Sequence, residues 1–384
     1  MNKISKNILC WASNPDENTL KQAINIEQHP CLFGNVCLMP DTHAGYGMPI
    51  GGVVALDNAV SPNMVGVDIG CGMLAVKTSV QNIERNKLVK IVEEIKKAVP
   101  VGFEHHKTKQ ENEIFSLDLW DETIICKREY ISAQKQIGTL GGGNHFIEIQ
   151  KGDDGFIWFM IHTGSRNLGK QVADYYNKQA KILCTKFHQD KVVKDEIAFL
   201  PIAIQETSNY LKEMNLCLKF SYENRKNISK FIKEILTDNV ANIEFAEDIN
   251  IHHNYAKCEE HFGKKVWIHR KGATLADENT IGIIPGSQGT SSYIVKGLGN
   301  KVSFKSCSHG AGRIMSRKKA IDTLDLEQEK KMLDDKGIIH SVTTKDSLEE
   351  APSAYKNIDM VMQEQQDLVK ILVKLSPLAV IKGV

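Results

Sequence analysis

Seven short apolar or alternating runs punctuate this chain, at Val36–Met39, Gly52–Leu56, Met73–Lys77, Phe146–Gln150, Phe156–Ile161, Lys265–His269 and Ser292–Val295. Runs this short, bounded by glycine and polar residues, read as β-strands. Between them lie stretches of helical periodicity. Leu88, Ile91, Val92, Ile95 and Val99 recur at helical spacing and stop at Pro100, so 84–99 reads as an amphipathic helix. A second helical region covers about 204–236, where Leu211, Met214 and Leu218 are followed, after a polar break around Asn224, by Ile228, Phe231, Ile232 and Ile235. A third uses Ile358, Val361, Met362, Leu368 and Leu372 and ends before Pro377. These stripes read as core faces.

A chain of 384 residues could hold two or three average domains. No repeat period, low-complexity tract or Pro/Ser-rich linker divides it. The expectation is one compact mixed α/β (α+β) domain over 1–384, with central sheets and a helical insertion at 185–240. Hydrophobic residues at 42% and charged residues at 25% permit a sizeable core and exclude a disordered chain. Lys and Arg number 48 against 47 Asp and Glu, so net charge does not advertise a nucleic-acid partner, and any such contact must come from a local patch. The apolar run Ile8–Ala12 is too short for a signal-peptide core, and no stretch of 18 apolar residues follows, which points to a cytoplasmic protein. Nine cysteines without a CxxC pair read as free thiols.

The chemistry concentrates in three stretches, 41–72, 138–169 and 282–317, where glycine is mixed with His, Asp, Ser and Arg. Glycine lets backbone approach a ligand and present amides to phosphates, although each loop taken alone is also an ordinary turn. In the first, Asp68 and Cys71 stand three residues apart on a glycine-flanked turn. A carboxylate and a thiolate so placed can face one cation, and a thiolate can bridge two; a buried thiol beside a turn aspartate fits the same spacing. In the second, His145 and His162 lie at the ends of neighbouring strands and could complete a metal shell, while a hydrogen-bonded structural histidine is the commoner occupant of such a position. His252 and His253 are a further imidazole source that spacing cannot separate. The third holds Ser287, Ser292 and Ser308-His309-Gly310-Ala311-Gly312-Arg313, with Arg317 four residues on. If a helix begins near His309, the hydroxyls, amides and arginines suit a nucleotide phosphate; Arg313 and Arg317 also fit a solvated helix face.

In order along nearly the whole chain, these motifs resemble the RtcB-type RNA ligases. The resemblance is carried by Met39–Gly52, Gly66–Gly72, Gly138–Glu148, His162–Gly169, His252–Tyr255, His269–Thr274, Pro285–Ser292, Ser308–Arg317 and Pro377–Gly383. It implies two Mn²⁺ ions held by Asp68, Cys71 as bridge, His145, His162 and His253, the last chosen because it directly precedes Asn254 as in the family motif. It implies His309 as the residue that carries GMP, and guanylate contacts from Asn144, Glu148, Ser287, Ser292, Arg313, Tyr355 and Lys382. Arg166 and Arg317 would meet RNA or phosphate. Gln288, where many members have Met, and Ile69-Gly70 between the aspartate and cysteine are mild departures that indicate a bacterial-type branch.

The implied reaction is GTP-dependent joining of an RNA 2′,3′-cyclic phosphate or 3′-phosphate end to a 5′-hydroxyl end, through a histidine–GMP intermediate. An imidazole of ordinary pKa near ~6.5 is already largely neutral at pH 7 and able to attack the α-phosphate. Manganese rests on the resemblance, because a Cys/His/Asp set by itself favours Zn²⁺. A metal-dependent RNA phosphodiesterase or phosphatase would use the same ligands without a nucleotide pocket. A catalytically silent RNA-binding protein would have no need of all five ligands and His309.

Overall fold

The computed structural model describes residues 1–383. Its strands assemble into two large sheets. The first has six strands in the order Asn2–Lys3, Ile8–Cys10, Leu32–His43, Ile50–Leu56, Lys264–Lys271 and Asn254–His261. The second has seven, in the order Ile249–His252, Gly72–Lys77, Ile157–Thr163, Phe146–Gly152, Val369–Lys382, Ser292–Gly297 and Ile281–Ile284. All seven expected strand segments are strands, extended by one or a few residues at their ends except where Phe156 precedes the strand beginning at Ile157.

The period of two explains how the layers stack, since successive side chains leave a strand on opposite faces. From the six-stranded sheet, Ile8, Val36, Leu38, Val54 and Leu56 enter a core shared with the helices Glu17–Glu27, Ile125–Gln136, Asn167–Lys186 and the N-terminal half of Gln205–Asn239. Their neighbours Leu9, Cys37, Met39, Val53 and Ala55 enter a second core, which meets Ile284, Tyr293 and Val295 of the seven-stranded sheet. The other sheet behaves alike: Leu74, Val76, Ile147, Ile149 and Phe159 pack on helix Arg85–Ala98, while Met73, Ala75, Phe146 and Met160 pack on Leu333, Ile338 and Leu348.

Three expectations need correction. The long helix runs unbroken from Gln205 to Asn239, because the polar pair Asn224–Arg225 is fully buried and satisfied inside the protein instead of marking an interruption. The third helical stripe is only Ile358–Gln363, and Val369–Lys382 is a strand in the interior of its sheet, with Leu372 exposed. There Pro377 is accommodated where the register shifts between Pro377 and Ala379. No helix begins near His309: the first after it is Arg317–Thr323, capped by Ser316, and Arg313 instead bridges to Tyr355. The region 185–240 contains Asp190–Lys194 and the whole of the long helix, whose apolar face is divided between two cores. Among the described residues no helix is long and apolar enough to cross a membrane.

Candidate active site and metal centre

The two sheets bring the glycine-rich stretches to one cavity of about 290 Å³. Asp68, Cys71, Asn144, Glu148, His162, His253, Ser287, His309, Arg313, Arg317, Tyr355 and Lys382 line it. His145 stands behind Asp68 and Cys71, Arg166 behind His145, and Ser292 is buried beneath the loop, where its hydroxyl accepts from the Gly286 amide.

Cys71 is the hub. Its Sγ lies 3.5 Å from His145 Nε2 and 3.3 Å from His162 Nε2, and His162 Nε2 is 3.3 Å from His253 Nε2. Asp68 Oδ2 is 3.0 Å from His145 Nε2. Two donor triads result, Asp68–Cys71–His145 and Cys71–His162–His253, each with its ligand atoms within 4.8 Å of one another and sharing the one sulfur. The backbone dictates which ring atoms point inward. His162 Nδ1 donates to the Asn144 carbonyl at 3.2 Å, so its Nε2 lone pair faces the sulfur, while His145 Nδ1 lies between the Leu140 carbonyl at 3.1 Å and an Arg166 guanidinium nitrogen at 3.2 Å, with Nε2 turned towards the sulfur. Lone pairs crowded together repel unless a cation or proton lies between them, and each of the two triads could hold a metal ion. Burial first, then the neighbouring imidazoles, push His162 and His253 well below ordinary histidine, which keeps them neutral as ligands must be. Burial and the Asp68 carboxylate push the Cys71 thiol up, a balance that a bound cation reverses. Cys71 is only 2% exposed, so the thiol is buried although its turn is rich in glycine.

The paired histidines separate cleanly. His253 turns into the cavity, whereas His252 turns away, its Nδ1 3.1 Å from a guanidinium nitrogen of Arg225. The same Nδ1 lies 3.1 Å from the Gly70 carbonyl.

His309 is held by a residue of the first glycine-rich stretch whose position in the sequence suggests no role. Asp41, at the end of strand Leu32–His43, is 0% exposed, and its Oδ2 takes hydrogen bonds from His309 Nδ1 at 2.7 Å and from the amides of His309 and Gly310 at 3.1 and 3.2 Å. Burial alone would raise this carboxyl, but the His309 ring holds it below the carboxylate range. The Nδ1 contact leaves Nε2 of His309 without a protein partner on the ring's other side. The ring sits against His253, with centroids 4.8 Å apart, and so adjoins the metal donors.

Beyond His309 the cavity is cationic around one buried carboxylate. Glu350 receives Arg313 at 3.1 Å, Lys382 at 3.2 Å and Arg317 at 3.4 Å, and also the Tyr355 hydroxyl. Glu148 keeps one buried oxygen without a partner, and burial raises its carboxyl well above the usual range. Lys271 lines the same cavity with only the Tyr46 and Asn63 carbonyls as acceptors, and burial pushes its amine down to about 7.

Asn224 and Arg225 were missed because they read as a polar break. Asn224 accepts from the Gly138 and Thr139 amides at 2.7 and 3.2 Å and donates to the Thr139 and Gly164 carbonyls. Arg225 donates to the Gly70 and Thr163 carbonyls at 3.1 and 2.9 Å and to Asn250 at 2.7 Å. Two adjacent residues thus brace the segments that carry Cys71, His145, His162 and His253. The usable signal was two polar residues at positions where the helical stripe demands inward-facing ones.

Comparison with known proteins shows the family. The family model described as tRNA-splicing ligase RtcB matches residues 22–121 and 116–383. The chain is 35% identical over 388 residues to the RNA-splicing ligase RtcB of Escherichia coli K12, covering 94% of this chain and 93% of that protein. It is 34% identical over 444 residues to the tRNA-splicing ligase RtcB of Nanoarchaeum equitans, covering 96% and 92%. It is also 33% identical over 452 residues to the RNA-splicing ligase RtcB homolog 1 of Entamoeba dispar, covering 97% and 83%.

Proposed function

From the premise that this chain belongs to the RtcB family and is an RNA ligase, we propose that it uses GTP and Mn²⁺ to join RNA 2′,3′-cyclic phosphate or 3′-phosphate ends to 5′-hydroxyl ends, through a histidine–GMP intermediate and an RNA-ppG end. One observation carries the reading: His309, oriented by a fully buried carboxylate, presents its free ring nitrogen beside two donor triads that share one thiol. A phosphodiesterase without ligation needs no nucleotide pocket, so the presence or absence of GTP binding separates the two readings.

In this reading His309 Nε2 attacks the α-phosphorus of GTP, a P–N bond forms and pyrophosphate leaves. Positive charge that develops on the ring is offset by Asp41, while Arg313, Arg317 and Lys382 offset the phosphates. Metal ions on the two triads would add Lewis-acid charge at the reacting phosphate oxygens. After a cyclic end is opened, an oxygen of the RNA 3′-phosphate attacks the same phosphorus and the P–N bond breaks. The 5′-hydroxyl then attacks the 3′-phosphorus and GMP departs.

Glu148 supports guanine over adenine. In its ionised form Glu148, one oxygen of which has no partner and the other accepts from Gln150, would accept from the two adjacent N–H donors of guanine's Watson–Crick edge, and those donors would offset the burial that raises its carboxyl; adenine offers one donor beside an acceptor. Labelled GTP and Mn²⁺ should give an acid-labile, alkali-stable GMP adduct in the wild type and none in His309→Ala. Sealing should occur with 3′-phosphate and 5′-hydroxyl ends only. An adduct that persists in His309→Ala, use of ATP in place of GTP, or sealing of 5′-phosphate to 3′-hydroxyl ends overturns the reading.

A further inference from the structure

Phe103 is 102% exposed, whereas the next most exposed large apolar residue, Phe187, is 62% exposed. Burying a phenyl ring stabilises a fold by roughly 1.5–3 kcal/mol, and this ring contributes none of it. The turn that presents it is nevertheless built. Gly102 has φ +61°, a conformation that favours glycine, and a Cβ there would meet nothing within 4 Å, so the chain turns outward into open space. On either side the backbone is tied down: Gly102 N donates to Gly141 O at 2.9 Å, Leu140 N to Pro100 O at 2.9 Å, and His106 N to Lys135 O at 3.0 Å. The His106 ring lies 3.2 Å from the Gly138 carbonyl.

The anchor lies at the rim of the active site. Gly102 packs against Gly142 and Gly383, whose chain neighbours lead directly to Asn144 and Lys382 of the cavity wall. Gly141, on which Gly102 is fastened, also faces the Arg166 guanidinium so closely that a Cβ would meet it at 2.1–2.2 Å. The residues after Phe103 are His105, His106, Lys107 and Lys109, with Glu104 the one acid between 103 and 110. An anchored, solvent-facing aromatic followed by cationic and imidazole groups matches single-stranded nucleic acid, where bases stack on rings and phosphates meet cations.

We propose that the turn Val101–Lys109 is a platform for the end of the RNA substrate, with Phe103 stacking on a terminal nucleobase and Lys107 and Lys109 facing the adjoining phosphates. The proposal rests on the RNA ligase reading and adds to it a substrate contact outside the metal and nucleotide groups. It takes any base, because every base has a π-face.

The test uses short single-stranded RNAs carrying 2-aminopurine either at the 3′-phosphate end or at the 5′-hydroxyl end. Stacking should quench one of the two on binding wild-type protein, and the quenched arm identifies which end the platform holds. Phe103→Ala should abolish that quenching and weaken RNA binding roughly five- to a hundredfold. It should leave the thermal unfolding midpoint unchanged, as a ring without packing contacts requires. Phe103→Trp should restore quenching and affinity. Equal affinity and equal fluorescence for wild type and Phe103→Ala overturn the platform alone. Failure of the wild type to bind either RNA overturns the ligase reading along with it.

Discussion

Lys271 shows what burial does to a single residue. Its ammonium is enclosed with two carbonyls and no carboxylate, so the charged form is disfavoured and the amine titrates at about 7 instead of 10.5. The protonated form is the one that attracts phosphate. GTP affinity measured by titration calorimetry should therefore fall as pH rises through about 7, and Lys271→Met should bind GTP weakly with no such inflection. Stability follows with a definite sign. In the unfolded chain the amine stays protonated up to about 10.5, so between about 7 and 10.5 the folded state binds fewer protons and gains stability with pH. Measured against Lys271→Met by denaturant unfolding, the wild type should improve across that window and not below it.

The helix Gln205–Asn239 shows how an element acts at a distance. Arg225 is 0% exposed, and its donors hold the carbonyls of Gly70 and Thr163, each next to a metal-ligand position. Arg225→Met keeps the volume and removes every one of those donors, which should destabilise the fold by roughly 2–5 kcal/mol. It should also weaken metal binding roughly 10–100-fold, because ligands lose the neighbours that aim them. Arg225→Lys restores a charge but not the forked geometry, and should recover stability more than metal affinity. Calorimetric Mn²⁺ titration alongside urea unfolding reads the two effects separately, and an unchanged metal affinity in Arg225→Met would assign the residue a packing role alone.

At the scale of the whole molecule, the two donor triads draw on positions 68 to 253, on turns and on the strand Ile157–Thr163, so an ion held there would tie distant chain segments together. Chelation should lower the unfolding midpoint by roughly 2–4 °C, the shift expected when a ligand at about a hundred times its dissociation constant is withdrawn from a chain of this length. Cys71→Ser, which removes the shared sulfur, should show a smaller chelator effect. The same scale explains what was legible in advance. Strand segments such as Met73–Lys77 and the helix over 84–99 could be read because period-two and period-3.6 patterns are local consequences of which face is buried. The motif residues around Asp68, His145, His162, His253 and His309 stood out as residue types able to ligate or attack, and the fold gathers them around one cavity. Sequence by itself thus determined the mixed class, the family and the chemical types available at the site. Only the tertiary structure decided which of His252 and His253 turns inward, that Asp41 orients His309, that Asn224 and Arg225 are buried braces, and that Leu372 lies on an exposed strand. Each of those depends on partners between 25 and 268 residues away along the chain or on the sheet neighbours of a segment, and local periodicity carries no information about such partners.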